Sequence, residues 1–254
     1  MQRSITYSLL ITWFLLLGSC KTYYVHTHLE NRNLIVSDSL IPLDSQLITM
    51  YMPYKLELEK DMNRIISVAA EEMVKDKPES NLTNFLADLL LEEGKRISAG
   101  LNQNFEPDIS FYNYGGIRTF LSEGEITVGK IFELMPFENE LVFLKLSGKQ
   151  VQEFLNHVAE KGGDSVGGVR FTIADNRAEK VEVGGEPLRA EKDYWLATND
   201  YVAAGGDGLE VLSQYSDFFS TEQKIRDVII AHLEKKHEKG EPIFVKPDGR
   251  ITSE

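Results

Sequence analysis

Cysteine is almost absent from this chain of 254 residues: it has one, and a single thiol forms neither an intrachain disulfide nor a thiolate zinc site. Basic residues are in the minority, because 27 Lys and Arg stand against 40 Asp and Glu and give a formal charge of −13. A surface this acidic repels phosphate backbones, so we expect no nucleic-acid partner. A small anionic ligand is still compatible with it, because a few local donors outweigh a distant field that salt screens.

The motifs of several enzyme classes are also missing. The chain has no Gly-x-x-x-x-Gly-Lys-Ser/Thr phosphate loop and no Gly-x-Ser-x-Gly elbow. Its five histidines are not accompanied by the Asp-x-His or Gly-Asn-His-Asp/Glu segments that a dimetal phosphatase needs: His26, His28, His157, His232 and His237. We interpret them as surface residues and expect no metal site and no cofactor in this chain.

The N-terminus carries the pattern of an export signal. Arg3 precedes an apolar run from Tyr7 to Leu17, which is too short for a comfortable membrane span, and Gly18-Ser19-Cys20 follows. This ending resembles a bacterial lipobox, which implies cleavage before Cys20 and a lipid on that residue. We therefore predict a lipoprotein signal peptide (1–19), a tether (20–39) and one domain (40–254), held at the periplasmic or outer-membrane face of the cell envelope. A plain signal peptide or N-terminal anchor with a chance cysteine is the alternative.

Hydrophobic periodicity predicts helices and strands in alternation. Apolar residues at helical spacing predict helices over residues 40–75, 81–94, 127–134, 149–160 and 222–236. A strand over 65–69 would also fit the first of these segments. Short apolar runs predict strands over 108–112, 141–146, 169–173, 181–183 and 194–198. This order predicts a mixed α/β class.

Three separated segments combine residue types that suit a small ligand. Asn113 to Arg118 places an amide, two glycines and a permanent guanidinium after a predicted strand. Met135 to Asn139 places Phe137 in a turn after a proline, and Tyr201 to Gly208 has an aromatic at one end and Asp207 within a glycine turn. Two rings, a carboxylate, an amide and an arginine are the groups of a nucleoside pocket.

Each segment has an ordinary structural interpretation when it is taken singly. Paired glycines are common in turns, Phe137 could belong to the core, and Asp207 could cap a helix. The presence of all three segments in one domain favours the ligand pocket over three unrelated coincidences.

In this order, the segments make the chain similar to the C-terminal, substrate-binding domain of the 5'-nucleotidase family, which includes nucleotidase/UDP-sugar hydrolases. The resemblance runs from about residue 67 to residue 251 and is carried by five motifs: Asn81–Asp88, Asn113–Arg118, Leu134–Phe137, Tyr201–Gly208 and Asp248–Ile251. It implies a layered α-β-β-α domain. It also implies that Phe137 and Tyr201 stack on the base, with Tyr201 where phenylalanine is usual, and that Asn113 lies near the base.

The same resemblance implies roles for the remaining site residues. Arg118 would lie near the ribose or phosphate, Asp207 would accept from the ribose hydroxyls, and Gly116 would let a ligand approach the backbone. The chain departs from the family where Pro78 replaces an arginine, which implies that one anion contact is missing.

A second departure concerns catalysis. The family has an N-terminal metallophosphatase domain, and its catalytic aspartate–histidine pair has no matching position here. We therefore expect a nucleotide- or nucleoside-binding half of a split 5'-nucleotidase-type hydrolase, with divalent metals only in a separate metallophosphatase chain. The alternatives are a non-catalytic nucleotide-binding lipoprotein of the envelope and a degenerate domain that only mediates assembly, so whether the chain is an enzyme is left open.

Overall fold

The computed structural model describes residues 44–101 and 104–254. The chain divides into two compact units, residues 1–50 and 51–254. The predicted signal peptide, Cys20, the tether and the domain boundary at residue 40 lie outside the described residues. Within the described part of the chain, no helix combines the length and the apolar character that crossing a membrane requires.

Helices and strands alternate along the described residues. The helices are α1 Ser45–Met62, α2 Asn81–Gly100, α3 Val128–Leu134, α4 Gly148–Glu160, α5 Asp200–Ala203 and α6 Ile225–Glu238. The strands are β1 Ile65–Ala69, β2 Ile109–Tyr112, β3 Gly124–Thr127, β4 Glu140–Ser147, β5 Ser165–Gly167, β6 Val169–Ala174, β7 Arg177–Val183, β8 Glu186–Pro187, β9 Asp193–Asn199, β10 Asp217–Lys224 and β11 Ile251–Ser253. Short 3₁₀ turns cover Tyr114–Gly116, Gly206–Gly208 and Glu210–Gln214. The predicted mixed α/β class is confirmed.

A five-stranded sheet forms the centre of the larger unit, in the order β10-β4-β9-β2-β5. β2 and β9 run parallel, while β4 is antiparallel to β9 and pairs Leu141 with Asn199. Consequently, the carboxyl ends of β2 and β9 and the start of β4 meet at one edge of the sheet. A second sheet has the order β11-β6-β7-β8, and β1 pairs with β3.

The inner strands of the central sheet are buried on both faces. Successive side chains of a strand point to opposite faces, so Leu141 and Phe143 join one core cluster and Val142 and Leu144 join another. The first cluster includes the apolar faces of α2 and α6, and the second includes α4 and residues of β6 and β7. Burial on both sides explains why β4 is a nearly continuous apolar run in the sequence.

Polar side chains cap three helices where the sequence gives a start signal. Ser80 and Thr83 form a reciprocal capping box at α2, and Ser147 and Gln150 form another at α4. The Thr127 side chain accepts from the backbone N–H of Lys130 at the start of α3, which confirms the predicted beginning of that helix.

Several predicted element boundaries are wrong; β7, for example, begins at Arg177 and not at residue 181. Residues 40–75 do not form one helix, because α1 ends at Met62 and residues 65–69 form β1, the alternative that the pattern allowed. Helix α2 continues past Gly94 to Gly100. The predicted helix over 222–236 starts too early, because β10 extends to Lys224 and α6 begins at Ile225.

Candidate functional site

The edge where β2 and β9 end holds a cavity of about 380 Å³. Eight residues line it: Asn113, Gly115, Gly116, Arg118, Phe137, Asn139, Tyr201 and Asp207. All six of the predicted binding residues of the domain are among them. Gly115 and Asn139 are the additions, and both lie inside the segments that the sequence singled out, so the signal for them was present. The volume falls within the range of small-molecule sites, and the carboxyl end of parallel strands is a common place for such sites.

Sheet topology explains why residues so far apart in the chain meet here. Asn113 directly follows β2, and Tyr201 lies in α5, which directly follows β9. Phe137 lies in the turn between α3 and β4, at the same edge because β4 is antiparallel to β9. Parallel strands present their carboxyl ends at one edge, so these three chain segments converge without a long loop.

A chain of hydrogen bonds joins the cavity wall to the strand ends. The Asn113 side chain donates to Asp207 Oδ2 at 2.7 Å, and its own oxygen accepts from Asn199 Nδ2 at 3.0 Å. Asn199 Oδ1 in turn accepts from the backbone N–H of Val202 at 2.9 Å and so caps α5. Asn113 and Asn199 are buried, which makes these bonds costly to break. Asn199 is a positioning residue for which the sequence offered no functional signal beyond its place before Tyr201.

Asp207 is held in an unusual backbone conformation. Its φ is 57°, in the left-handed region that non-glycine residues seldom adopt except Asn and Asp. Its two carboxylate oxygens accept separately from the Asn113 amide and the Tyr201 hydroxyl. The side chain is exposed, so the carboxylate is positioned and still accessible from the cavity.

The two aromatic rings of the cavity are half-exposed. Phe137 is 46% exposed and Tyr201 is 48% exposed. Other aromatic side chains are equally exposed, such as Phe244 at 53%, so what distinguishes these two rings is that both line the same cavity. The backbone of the Phe137 turn is fixed by its neighbour Glu138, whose carboxylate pairs with Lys224 and Arg226. These hydrogen bonds lower the pKa of Glu138 to about 2.

Gly116 serves packing inside the cavity wall. A Cβ at this position would lie 2.7 Å from the ring of Tyr112, far inside contact distance, and Gly116 is buried. The ring of Tyr112 therefore requires a glycine at residue 116. The close approach of a ligand to this backbone stays a prediction.

Two cations bracket the loop from Tyr114 to Arg118. Lys75 Nζ donates to the carbonyl oxygens of Tyr114 at 3.2 Å and Ile117 at 2.5 Å. Burial and the charge of Arg118 lower the pKa of Lys75. Arg118 is exposed, donates to the Gly115 carbonyl at 3.2 Å, and lies with its guanidinium carbon 6.0 Å from the Phe137 ring centroid. The loop thus presents a positive group beside an aromatic face.

A second recess of about 280 Å³ shares Asn113, Gly115 and Asp207 as its wall. Asp164 lies in it, where burial raises its pKa to about 7 despite the backbone hydrogen bond from Ser165. The charge of Asp207 adds to this rise. Burial thus favours the protonated form of the Asp164 carboxyl group.

The description of the protein-family model that matches residues 60–214 is "5'-nucleotidase, C-terminal domain". The chain belongs to this family. The fold of the described residues also matches that of the 5'-nucleotidase C-terminal domain in a solved structure. The structure of a 5'-nucleotidase precursor from Thermus thermophilus superposes with a TM-score of 0.67 at 28% identity, over 87% of this chain and 45% of that one.

Curated proteins that resemble the chain are much longer than it is. A 5'-nucleotidase of Vibrio vulnificus is 29% identical over 223 residues, which are 85% of this chain and 38% of that protein. A trifunctional nucleotide phosphoesterase of Bacillus subtilis is 33% identical over 189 residues, 68% of this chain and 12% of that protein. The chain therefore spans less than half the length of these two relatives.

Among the described residues of this 5'-nucleotidase C-terminal domain, one trio has metal-ligating chemistry: Glu92, Glu93 and His232. Glu93 is already engaged, because it accepts from Arg96 at 2.6 Å, pairs with Lys235 at 3.6 Å and contacts His232 Nδ1 at 3.0 Å. Two cations on one carboxylate compete with a metal ion, so the trio fits a catalytic metal centre poorly. His232 is 4% exposed, so its interpretation as a surface residue is wrong: it forms a buried pair between α6 and α2.

Proposed function

We propose that this chain is the nucleotide-binding half of a 5'-nucleotidase-type phosphohydrolase whose metallophosphatase is a separate chain. The observation that carries the proposal is the meeting of Phe137, Tyr201, Asp207 and Arg118 around one open cavity. The membership of the 5'-nucleotidase C-terminal domain family supports a nucleotide-related role. The names of the relatives from Vibrio vulnificus and Thermus thermophilus support the same role.

The base would bind between the rings of Phe137 and Tyr201. Stacking of a base on an aromatic side chain contributes about 1–3 kcal/mol, and the exposed area of both rings is available for it. The neutral amides of Asn113 and Asn139 line the same cavity and have donors and acceptors for the edge of a heterocycle.

The charged side chains of the cavity would bind the sugar and the phosphate. A carboxylate oxygen has two acceptor sites and each oxygen of Asp207 uses one within the protein, so capacity remains for sugar hydroxyls. Arg118 is exposed beside the cavity and supplies planar donors for a phosphate. We infer that nucleoside binding energy orients the phosphate ester for hydrolysis by metal ions held on the partner chain.

A thermal-unfolding titration with adenosine, AMP and UDP-glucose tests the binding. A ligand at one hundred times its dissociation constant stabilises the folded state by about 2.7 kcal/mol. Phe137→Ala removes one stacking surface, so we expect its dissociation constant to rise about 5- to 150-fold. Phe244→Ala is the matched control, because Phe244 is 53% exposed and does not line the cavity. The absence of any shift with all three ligands would contradict the proposal.

Phosphate release from AMP in the presence of Mn²⁺ or Zn²⁺ tests the division of labour. We expect no release by this chain alone and release after it is mixed with a metallophosphatase that lacks its own C-terminal domain. Hydrolysis by the purified chain alone would refute the assignment of the metal centre to a partner. Binding without any activation in the mixture would favour the alternative, an envelope lipoprotein that captures nucleotides without hydrolysing them.

A further inference from the structure

The hydroxyl of Tyr201 is engaged with Asp207 in two ways. It donates to Asp207 Oδ1 at 2.9 Å, and its oxygen accepts from the backbone N–H of Asp207 at 3.3 Å. The ring itself lies against Gly206, where a Cβ would come within 2.5 Å of a ring carbon. The absence of a side chain at Gly206 therefore lets the ring lie flat, and this position brings the hydroxyl to Asp207.

The Asn113 side chain donates to Asp207 Oδ2, so both carboxylate oxygens of Asp207 have a protein donor before any ligand binds. This matters for selectivity. A site rejects a ligand that lacks a hydroxyl mainly because a desolvated acceptor is then left without a donor. At Asp207, neither oxygen would lose its last donor when a bound sugar lacks a hydroxyl.

We propose that the Tyr201 hydroxyl is a specificity-determining group that makes the cavity tolerant of nucleosides whose sugar lacks one or both hydroxyls. The inference rests on the proposed function, since it assumes that a nucleoside sugar meets Asp207. In the Tyr201→Phe variant, Oδ1 depends on the ligand for its donor once the ligand has displaced water. Selectivity for ribose over deoxyribose then rises.

Calorimetric dissociation constants of adenosine, 2'-deoxyadenosine and 2',3'-dideoxyadenosine test this for the full chain and for Tyr201→Phe. We expect the unaltered protein to bind dideoxyadenosine within about tenfold of adenosine, because each of the two missing hydroxyls would bond to an acceptor that keeps a protein donor, and each such bond changes the dissociation constant by about threefold or less. In Tyr201→Phe we expect that ratio to widen by about three- to tenfold. Tyr215→Phe, which removes a hydroxyl outside the cavity, should leave the ratio unchanged.

Each outcome has one meaning. An unchanged or narrower ratio in Tyr201→Phe overturns the inference, as does a preference for adenosine of about a hundredfold or more in the unaltered protein. Loss of all binding in Tyr201→Phe, with an unchanged melting temperature, also overturns it, because the hydroxyl would then serve affinity and not selectivity. If the unaltered protein binds none of the three nucleosides, the inference is overturned, whereas the proposed function fails only if AMP and UDP-glucose do not bind either.

Discussion

At the scale of single residues, Asp207 combines a structural position in a turn with a carboxylate that is accessible from the cavity. Asp207 occupies a left-handed turn position and is held there by donors from Tyr201 in its own segment and from Asn113 in another. A carboxylate fixed in this way loses little rotational freedom when a ligand binds, which reduces the entropic cost of recognition. Two glycines also help to keep the cavity wall in place. Gly116 and Gly206 lack the Cβ atoms that would displace the rings of Tyr112 and Tyr201.

The buried Glu93 carboxylate should make stability depend on pH. Burial raises the pKa of Glu93, but the hydrogen bonds with His232 and Arg96 outweigh burial and hold the pKa below its ordinary value. A lowered folded-state pKa gives stability that is present above the unfolded-state pKa, about 4.3, and is lost as the pH falls through the folded-state pKa.

Urea unfolding between pH 7 and pH 3.5 measures this contribution. At pH 7 we expect Glu93→Gln to lower the free energy of unfolding by about 1–3 kcal/mol, because a charged acceptor is lost to Arg96 and Lys235. The difference from the unaltered protein should shrink at pH 3.5. Glu92→Gln, at the exposed neighbour, should stay within about 0.5 kcal/mol at every pH. A Glu93→Gln difference that is constant with pH would show that ionisation of Glu93 does not contribute.

At the scale of elements, helix α2 illustrates why a glycine in a helix need not end it. A Cβ at Gly94 would lie 3.2 Å from Pro107 and 3.3 Å from both Ala197 and Phe143. The glycine therefore lets the helix approach the central sheet closely. Its cost to helix stability, about 1 kcal/mol relative to alanine, is outweighed by this packing.

Gly94→Leu should therefore destabilise the protein although leucine is the better helix former. Three neighbours from different segments surround the position, so no single shift makes room, and overpacking of this kind costs about 1–3 kcal/mol. Gly100→Ala, in the last turn of the same helix, has no atom within 4 Å of the added Cβ and should stabilise by about 0.4–1 kcal/mol. Both are measured by thermal and urea unfolding. A Gly94→Leu variant that is as stable as the unaltered protein, or more stable, would mean that Gly94 is not a packing position.

Elements with a strong local signal could be predicted from the sequence, and those defined by distant partners could not. The beginnings of α3 and α4 follow from Thr127 and Ser147, which cap within their own segments. β10 has no such signal: it is an edge strand, mostly exposed, and its polar end over residues 222–224 resembles a helix start. Its pairing with β4 decides its structure, and tertiary pairing overrides local propensity.

The candidate site was more predictable than several of its supporting elements. Asn113, Phe137, Tyr201 and Asp207 each stand in or next to a segment with glycine or proline, where turn chemistry and polar or aromatic groups coincide. Asn199 was harder to find, because a buried amide that links two other segments has no distinctive spacing. Asn199 acts through its hydrogen bond to Asn113, which follows the neighbouring strand β2 and lies 86 positions away in the sequence.

At the scale of the whole molecule, Arg250 ties the end of the chain to the body of the domain. It is 7% exposed and donates to both oxygens of Asp88 in α2, to Asp248 and to the Val166 carbonyl in β5. β11 follows directly and pairs in parallel with β6. The side chain thus connects α2 with β5 of the central sheet, and the backbone carbonyl of Arg250 accepts from Phe171 in β6 of the second sheet.

Arg250→Met should lower the free energy of unfolding by about 2–4 kcal/mol, somewhat less than a fully buried pair because Asp88 stays half-exposed. Arg170→Met removes another partner of Asp248, but its side chain is 50% exposed, so about 1 kcal/mol or less is expected. Urea unfolding at pH 7 compares the two. A similar loss for both variants would mean that the burial of Arg250 adds nothing.

The hydrogen bonds of the cavity wall carry a consequence for the order of events during folding. Asn113 bonds to partners 86 and 94 positions further along the chain. Closing loops of this length is entropically demanding and comes after local helices have formed. The cavity wall is thus completed late in refolding, and a fragment that stops before β9 lacks the Asn199 and Asp207 partners of Asn113.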